Sequence, residues 1–287
     1  MLVRSCLRSQ PGLNRNYAAV SSLINLIETG IFFDIRMAEE ETLDEILDGR
    51  LRVFQKKKGY RFSLDSILLA HFVSLKPRDR VIELGCGSGI IILILAKRFS
   101  NVRCIGLEIQ ENLAALAGKN TQLNDLDERV EIFSGDACDI RNIFPACTFD
   151  TVIFNPPYRK LKSGRINPEL EKAIARHEIK GSLKIFLKAA QYLLKPGGRV
   201  YAIYPAKRLV ELIYLFRQSG IEPKKMKLVY SDNFSDAEFA LLEGKRGGRE
   251  ELKMAAPLFI YDQNKKYTRE MTGIFRELSR YPADGGG

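Results

Sequence analysis

A chain of 287 residues, 45% hydrophobic and 28% charged, holds enough apolar material for one large α/β domain with a substantial core. No run approaches the roughly 20 apolar residues that a membrane-spanning helix requires. The formal charge of +10 favours a polyanionic partner, nucleic acid first, because each phosphate neutralised by Lys or Arg releases condensed counterions.

The first 36 residues hold Arg4, Arg8 and Arg15 among Ser and Asn, with no acid before Glu28. Such a segment reads as an organellar presequence or as an upstream extension. The extension is the preferred reading, because Met37 opens an acidic, cap-like stretch, Ala38-Glu39-Glu40-Glu41-Thr42, followed by patterned sequence. The expected division is an extension over 1–36 outside the fold and a single domain over 37–287, in the cytoplasm. A β-like run from Leu51 to Gln55, a basic turn (Lys56, Lys57, Lys58, Gly59) and an amphipathic helix from Ser63 to Ser74 follow. With the preceding residues they make one helix and a hairpin-like element.

From Val81 onward strands and helices alternate. Strands are predicted from Val81 to Leu84, Val102 to Ile109, Val130 to Ser134, Thr151 to Phe154 and Arg199 to Tyr204. Helices from Ile90 to Phe99, Glu111 to Asn124, Pro168 to Leu194 and Arg208 to Gln218 separate them. Repeated βα units give a parallel sheet covered on both faces, with ligands at the strand carboxyl ends near the topological switch point. The last two strands, Lys225 to Tyr230 and Glu238 to Glu243, are joined by a short loop and should pair as an antiparallel hairpin. The expected fold is thus a Rossmann-like α/β class I arrangement, a mostly parallel seven-stranded sheet ending in an antiparallel hairpin. Cys6, Cys86, Cys104, Cys138 and Cys147 are odd in number and form no CxxC pair. They read as small buried residues of a reducing compartment, with neither disulfide nor metal expected.

The first strand of this series runs through Glu83-Leu84 into Gly85-Cys86-Gly87-Ser88-Gly89 and opens directly into a helix. Glycines let the backbone turn tightly and approach a ligand, and the helix start supplies free N–H groups. Alone, such a turn could equally hold a dinucleotide. The next strand ends in Glu108, about 20 residues beyond the last glycine, where a carboxylate can accept both ribose hydroxyls. The third ends in Ser134-Gly135-Asp136, a second acid able to accept from an adenine amino group. The loop is E-x-G-x-G-x-G rather than the spaced dinucleotide fingerprint, which weakens the NAD reading, and together with the motif that ends the fourth strand it favours S-adenosylmethionine. Glu83, Gly85, Gly87, Gly89, Glu108 and Asp136 are the candidate cofactor residues.

The fourth strand ends in Asn155-Pro156-Pro157-Tyr158. Two prolines stop the strand and fix the backbone, so the Asn155 side-chain oxygen and the Pro156 carbonyl can face one small polar group. An amino group on an aromatic base is a poor nucleophile because its lone pair is delocalised. Two acceptors gripping its hydrogens favour a pyramidal nitrogen and aim the lone pair, so positioning suffices without a strong base. Tyr158 offers a face for stacking a planar acceptor. Asn155, Pro156 and Tyr158 are the candidate catalytic residues, and Asp150 at the strand start reads as structural or functional.

At these residues the chain resembles amino-methyltransferases bearing the N-P-P-Y motif. It resembles more closely the bacterial tRNA1(Val) adenine-N6 methyltransferase family, through Phe62-Ser63-Leu64-Asp65-Ser66-Ile67-Leu68-Leu69-Ala70, Ile174-Ala175-Arg176-His177-Glu178, Leu194-Lys195-Pro196-Gly197-Gly198 and Leu242-Glu243-Gly244-Lys245-Arg246-Gly247-Gly248. The likeness runs from about Leu43 to Thr272. It implies N6-methylation of adenine in RNA, at a tRNA adenosine beside the anticodon, and a helix starting near Ser63 that closes over the cofactor through Asp65. Lys160, Lys162, Arg165, Arg176 and His177 are candidate substrate contacts, and Lys224, Lys225 and Lys227 are expected to flank the acceptor mouth. Protein glutamine methylation, ribosomal RNA guanine-N2 methylation and a non-enzymatic RNA-binding module are the competing readings. The first normally needs a helical substrate domain ahead of the glycine loop, and the last a broken motif.

Overall fold

Pairing of apolar strands around Val81–Leu84 builds the sheet that carries everything else. The computed structural model describes residues 41–58, 61–156 and 182–280. An antiparallel hairpin, β1 (Glu41–Ile46) and β2 (Leu51–Lys56), precedes helix α1 (Leu64–Phe72). There follow β3 (Arg80–Leu84), α2 (Ile90–Arg98), β4 (Arg103–Glu108), α3 (Glu111–Leu123), β5 (Val130–Ser134), a one-turn helix α4 (Ile140–Ile143) and β6 (Phe149–Phe154). After the gap come α5 (Ser182–Leu193), β7 (Leu194–Pro205), α6 (Leu209–Gln218), β8 (Ile221–Tyr230) and β9 (Ala237–Arg246). Two short strands, β10 (Lys253–Met254) and β11 (Leu258–Phe259), and a final helix, α7 (Arg269–Ser279), complete the described chain.

The sheet order is β10-β8-β9-β7-β6-β3-β4-β5, with β11 also on β8. The strands β3 to β8 run parallel, and β9 is antiparallel to both β7 and β8. This is the expected seven-stranded arrangement, widened to nine by β10 and β11, which add parallel residues to the outer side of β8. From β3 the chain crosses to β4 on one side and later returns to β6 on the other. The crevice at the carboxyl ends of β3 and β6 is therefore the topological switch point.

Successive residues of each strand enter opposite cores. Val81, Ile153 and Tyr201 join one cluster with residues of α1, α2 and α7, and Ile82, Val152 and Val200 join the other with residues of α4, α5 and α6. Every residue from Ile90 to Ala96 of α2 is buried, so this helix is apolar all round. Part of its cover is the amino-terminal hairpin. Asn120 of α3 accepts the Phe54 N–H at 2.6 Å and donates to the Phe54 carbonyl at 3.0 Å, and Asn124 one turn on does the same for Arg52 at 3.0 and 2.7 Å. Two side-chain amides thus serve β2 as a strand partner would, satisfying its outer backbone groups.

Glu41 and Thr42, read as a cap-like stretch, lie in β1 instead, because pairing with Lys56 and Gln55 decides their conformation. Cys86 and Cys104 are buried as expected, whereas Cys138 and Cys147 are exposed. Burial pushes the Cys104 thiol up to about 12, leaving it unreactive. Among the described residues no helix is long and apolar enough to cross a membrane.

Candidate active site

The chain leaves β3 at Leu84 and turns through Gly85, Gly87 and Gly89, whose φ angles of +71°, +57° and +85° favour glycine. A Cβ at Gly89 would also stand 3.3 Å from the Ala117 Cβ, so glycine admits α3 against the loop. The N–H groups of Gly85 and Cys86 donate to the Leu107 carbonyl at 2.7 and 3.1 Å, locking the loop to the end of β4. Beyond it the first turn of α2 presents its N–H groups and positive dipole end.

Three acids surround this loop. Glu108, 5% exposed, accepts the Gly87 N–H on Oε2 and the Gln110 N–H on Oε1, both at 2.9 Å. A carboxylate only accepts, and its two oxygens carry about four acceptor sites in all, the chemistry that hydroxyl donors require. Asp136, two residues past the end of β5 and half-buried, accepts the Cys138 N–H at 2.8 Å. Gly135 N–H donates to the Glu108 carbonyl at 2.9 Å, which ties these strand ends together. Glu83 lies at the foot of the loop, 2% exposed, accepting the Ile92 N–H at 3.1 Å. Burial pushes its carboxyl well above the ordinary value, the Ile92 bond opposes this, and Glu108 adds repulsion. Its visible work is to hold the first turn of α2.

Leu84 pairs with Phe154, so Asn155 emerges beside Gly85. Asn155 Nδ2 donates to Asp65 Oδ2 at 3.2 Å and lies 3.5 Å from Ser66 Oγ. Its Oδ1 is buried and has no hydrogen-bond partner among the described residues. Pro156, the next residue, is buried. Asp65, 5% exposed in the first turn of α1, also takes the Ser66 N–H at 2.9 Å and the Ser63 hydroxyl on Oδ1. The sequence brought Asp65 to mind only as a cofactor contact; its meeting with Asn155, 90 residues away, is tertiary.

Asp150 is structural. Its carboxylate accepts the Arg80 N–H at 2.9 Å and pairs with Lys195 Nζ at 2.8 Å, at the opposite end of β6 from Asn155. The three lysines expected at the acceptor mouth are engaged elsewhere. Lys225 and Lys227 pair in register with Glu243 and Leu241, opposite Tyr201 and Ile203 and short of the carboxyl end of β7 at Pro205. Lys224 donates to the Arg249 and Glu250 carbonyls at 3.0 Å, Lys225 Nζ lies 5.0 Å over the Phe72 ring, and Lys227 pairs with Glu270 at 2.6 Å. Pro157, Tyr158, Lys160, Lys162, Arg165, Arg176 and His177 lie outside the described residues.

Residues 75–267, the span that holds the glycine loop and the Asn155-Pro156 corner, match a family model described as a methyltransferase domain. The chain belongs to this family of methyltransferase domains. Curated relatives include proteins named tRNA1(Val) (adenine(37)-N6)-methyltransferase. The one from Porphyromonas gingivalis is 31% identical over 57% of this chain and 66% of its own length. That from Glaesserella parasuis is 27% identical over 74% and 87%, and that from Vibrio cholerae 31% over 57% and 66%. The chain thus spans just under two thirds of two of these three relatives. Among solved structures, one described as a predicted O-methyltransferase from Agrobacterium tumefaciens superposes with a TM-score of 0.62 at 20% identity, covering 77% of this chain and 99% of that one. At that identity the likeness supports the methyltransferase fold alone.

Proposed function

We propose that this chain transfers the methyl group of S-adenosylmethionine to a planar exocyclic amino group, N6 of an adenine in RNA, at the tRNA adenosine next to the anticodon. The observation that carries the reading is the Asn155 side chain. Its Nδ2 end is occupied, and its buried Oδ1 is left with unused acceptor capacity beside the glycine loop. A buried acceptor of this kind suits a partner that brings only hydrogens, as an amino group does.

The residues present fit the cofactor. Glycines with left-handed φ shape a cradle at the start of α2, Glu108 offers acceptor sites to ribose hydroxyls, and Asp136 stands one strand further for an adenine amino group. Glu83 supports the cradle from below. When bound, the sulfonium supplies an electrophilic methyl and a neutral thioether leaving group. The chain's own task is then alignment. Asn155 Oδ1 and the Pro156 carbonyl hold the two amino hydrogens, pyramidalising the nitrogen; once methylated, the now cationic nitrogen is acidic and sheds one proton to solvent, so no group need act as a strong base. In this reading Tyr158 stacks the base, and Lys160, Lys162, Arg165, Arg176 and His177 meet the nucleic acid.

The tRNA acceptor draws on the relatives' names and the net charge of +10. Glutamine methylation is disfavoured because Leu47, Leu51, Val53 and Ile67, described residues ahead of the loop, share one core with Ile92 rather than a core of their own. Transfer of labelled methyl to tRNA by the wild type, and its loss in Asn155→Ala with cofactor affinity retained, is the test.

A further inference from the structure

The Asn155 amide has two ends of opposite hydrogen-bonding character and nearly equal size, so its usefulness depends on which end faces the acceptor. We propose that Asp65 is a positioning residue that fixes this choice, holding the Asn155 Nδ2 end and turning Oδ1 toward the acceptor. The inference rests on the reading of Asn155 as the group that grips the amino hydrogens.

A carboxylate offers no hydrogen, so only the NH2 end of the amide can lie against Asp65 Oδ2, 3.2 Å away. Asp65 is itself held: its Oδ1 takes the Ser66 N–H at 2.9 Å and the Ser63 hydroxyl, both donors. Ser66 Oγ, 3.5 Å from Asn155 Nδ2, adds a second acceptor to the same end. With this anchor removed, the amide can turn over and present NH2 to a group that also carries only hydrogens, and the grip is lost.

The arrangement makes a polarity argument that can be exchanged. In Asp65→Asn the two donors at Ser63 and Ser66 keep an oxygen at their end, so the new NH2 faces residue 155. Asn155 must then turn its own oxygen toward it and its NH2 toward the acceptor. In the double variant Asp65→Asn with Asn155→Asp, the NH2 of residue 65 donates to one oxygen of residue 155, and the other oxygen faces the acceptor again. The pair keeps one carboxylate, one amide and one hydrogen bond between residues 65 and 155, as in the wild type.

The experiment measures kcat and KM with a tRNA transcript, S-adenosylhomocysteine affinity by calorimetry, and melting temperature for Asp65→Asn, Asn155→Asp, the double variant and Asn155→Ala. Asp65→Asn should lower kcat at least tenfold, with S-adenosylhomocysteine affinity within about twofold of wild type, and the double variant should recover at least tenfold over it. If Asp65→Asn fails to fold, Asp65→Ala and the double variant serve in its place, with the same loss and the same recovery expected. Wild-type turnover in Asp65→Asn, a double variant no better than the single one, or lost S-adenosylhomocysteine affinity with kcat intact would each overturn the positioning role. Full turnover in Asn155→Ala would instead remove the reading of Asn155 on which it stands.

Discussion

Glu108 Oε2 accepts the Gly87 N–H at 2.9 Å, so the acid that ends β4 is tied to the glycine loop that ends β3. The same carboxylate therefore shapes the cradle and, in the proposed role, accepts from the cofactor's ribose. Replacing it with Ala should weaken cofactor binding by about 1.5 to 3 kcal/mol, the range for hydrogen bonds to a charged acceptor. Calorimetric titration with S-adenosylhomocysteine checks this, and an unchanged affinity would remove Glu108 from the site.

Asp150 makes a different prediction, about stability. Burial alone would raise its carboxyl, but the Arg80 N–H and the Lys195 ammonium outweigh this and hold it below the ordinary value. A depressed acid contributes stability above its unfolded value and loses it as pH falls through the folded one. Asp150→Asn should thus cost a few tenths to about 1 kcal/mol at neutral pH, as solvent-screened pairs do. In denaturant titrations the difference from wild type should shrink as pH falls below the ordinary carboxylate range and Asp150 becomes neutral.

His71 gives a handle nearer neutral pH. Its Nε2 lies 2.9 Å from Glu277 Oε2, joining α1 to α7, with Arg98 and Lys227 also facing it. Burial pushes the imidazole below its ordinary value more than the Glu277 hydrogen bond raises it, and the two cations add to the lowering. The folded state then binds fewer protons than the unfolded one, so stability is present above about pH 6.5 and falls as pH drops through the folded value. His71→Gln should flatten the pH dependence of melting temperature between about pH 5 and 7. An identical slope in both proteins would show that another group titrates there.

The periodic parts of the fold were legible because the local pattern and the tertiary environment agree. β5 lies at Val130–Ser134 as expected, and β8 and β9 pair as the expected antiparallel hairpin, each running longer than its expected bounds. Agreement failed where a neighbour decides. Lys195-Pro196-Gly197-Gly198 reads as a break, yet β7 begins at Leu194 because that residue pairs with Phe149 across a register shift. The strands β10 and β11, two residues each, exist only because β8 offers a free edge. The final helix was missed although Thr268 caps it through Met271 N–H and Met271, Ile274 and Leu278 mark its buried stripe. In the site, the glycines, Glu108, Asp136 and Asn155 announce themselves by chemistry at strand ends. The partnership of Asp65 with Asn155 has no such local signal.

The central claim is that the amide of Asn155 addresses an adenine amino group in tRNA. Nucleoside mass spectrometry of tRNA transcripts incubated with isotope-labelled S-adenosylmethionine tests it most directly. Labelled N6-methyladenosine should appear at the adenosine following the anticodon with the wild type and fall about a hundredfold or more with Asn155→Ala, as when other preorganised polar groups are removed. Label in N2-methylguanosine of ribosomal RNA, in methylglutamine of a protein, or at wild-type levels with Asn155→Ala would contradict it.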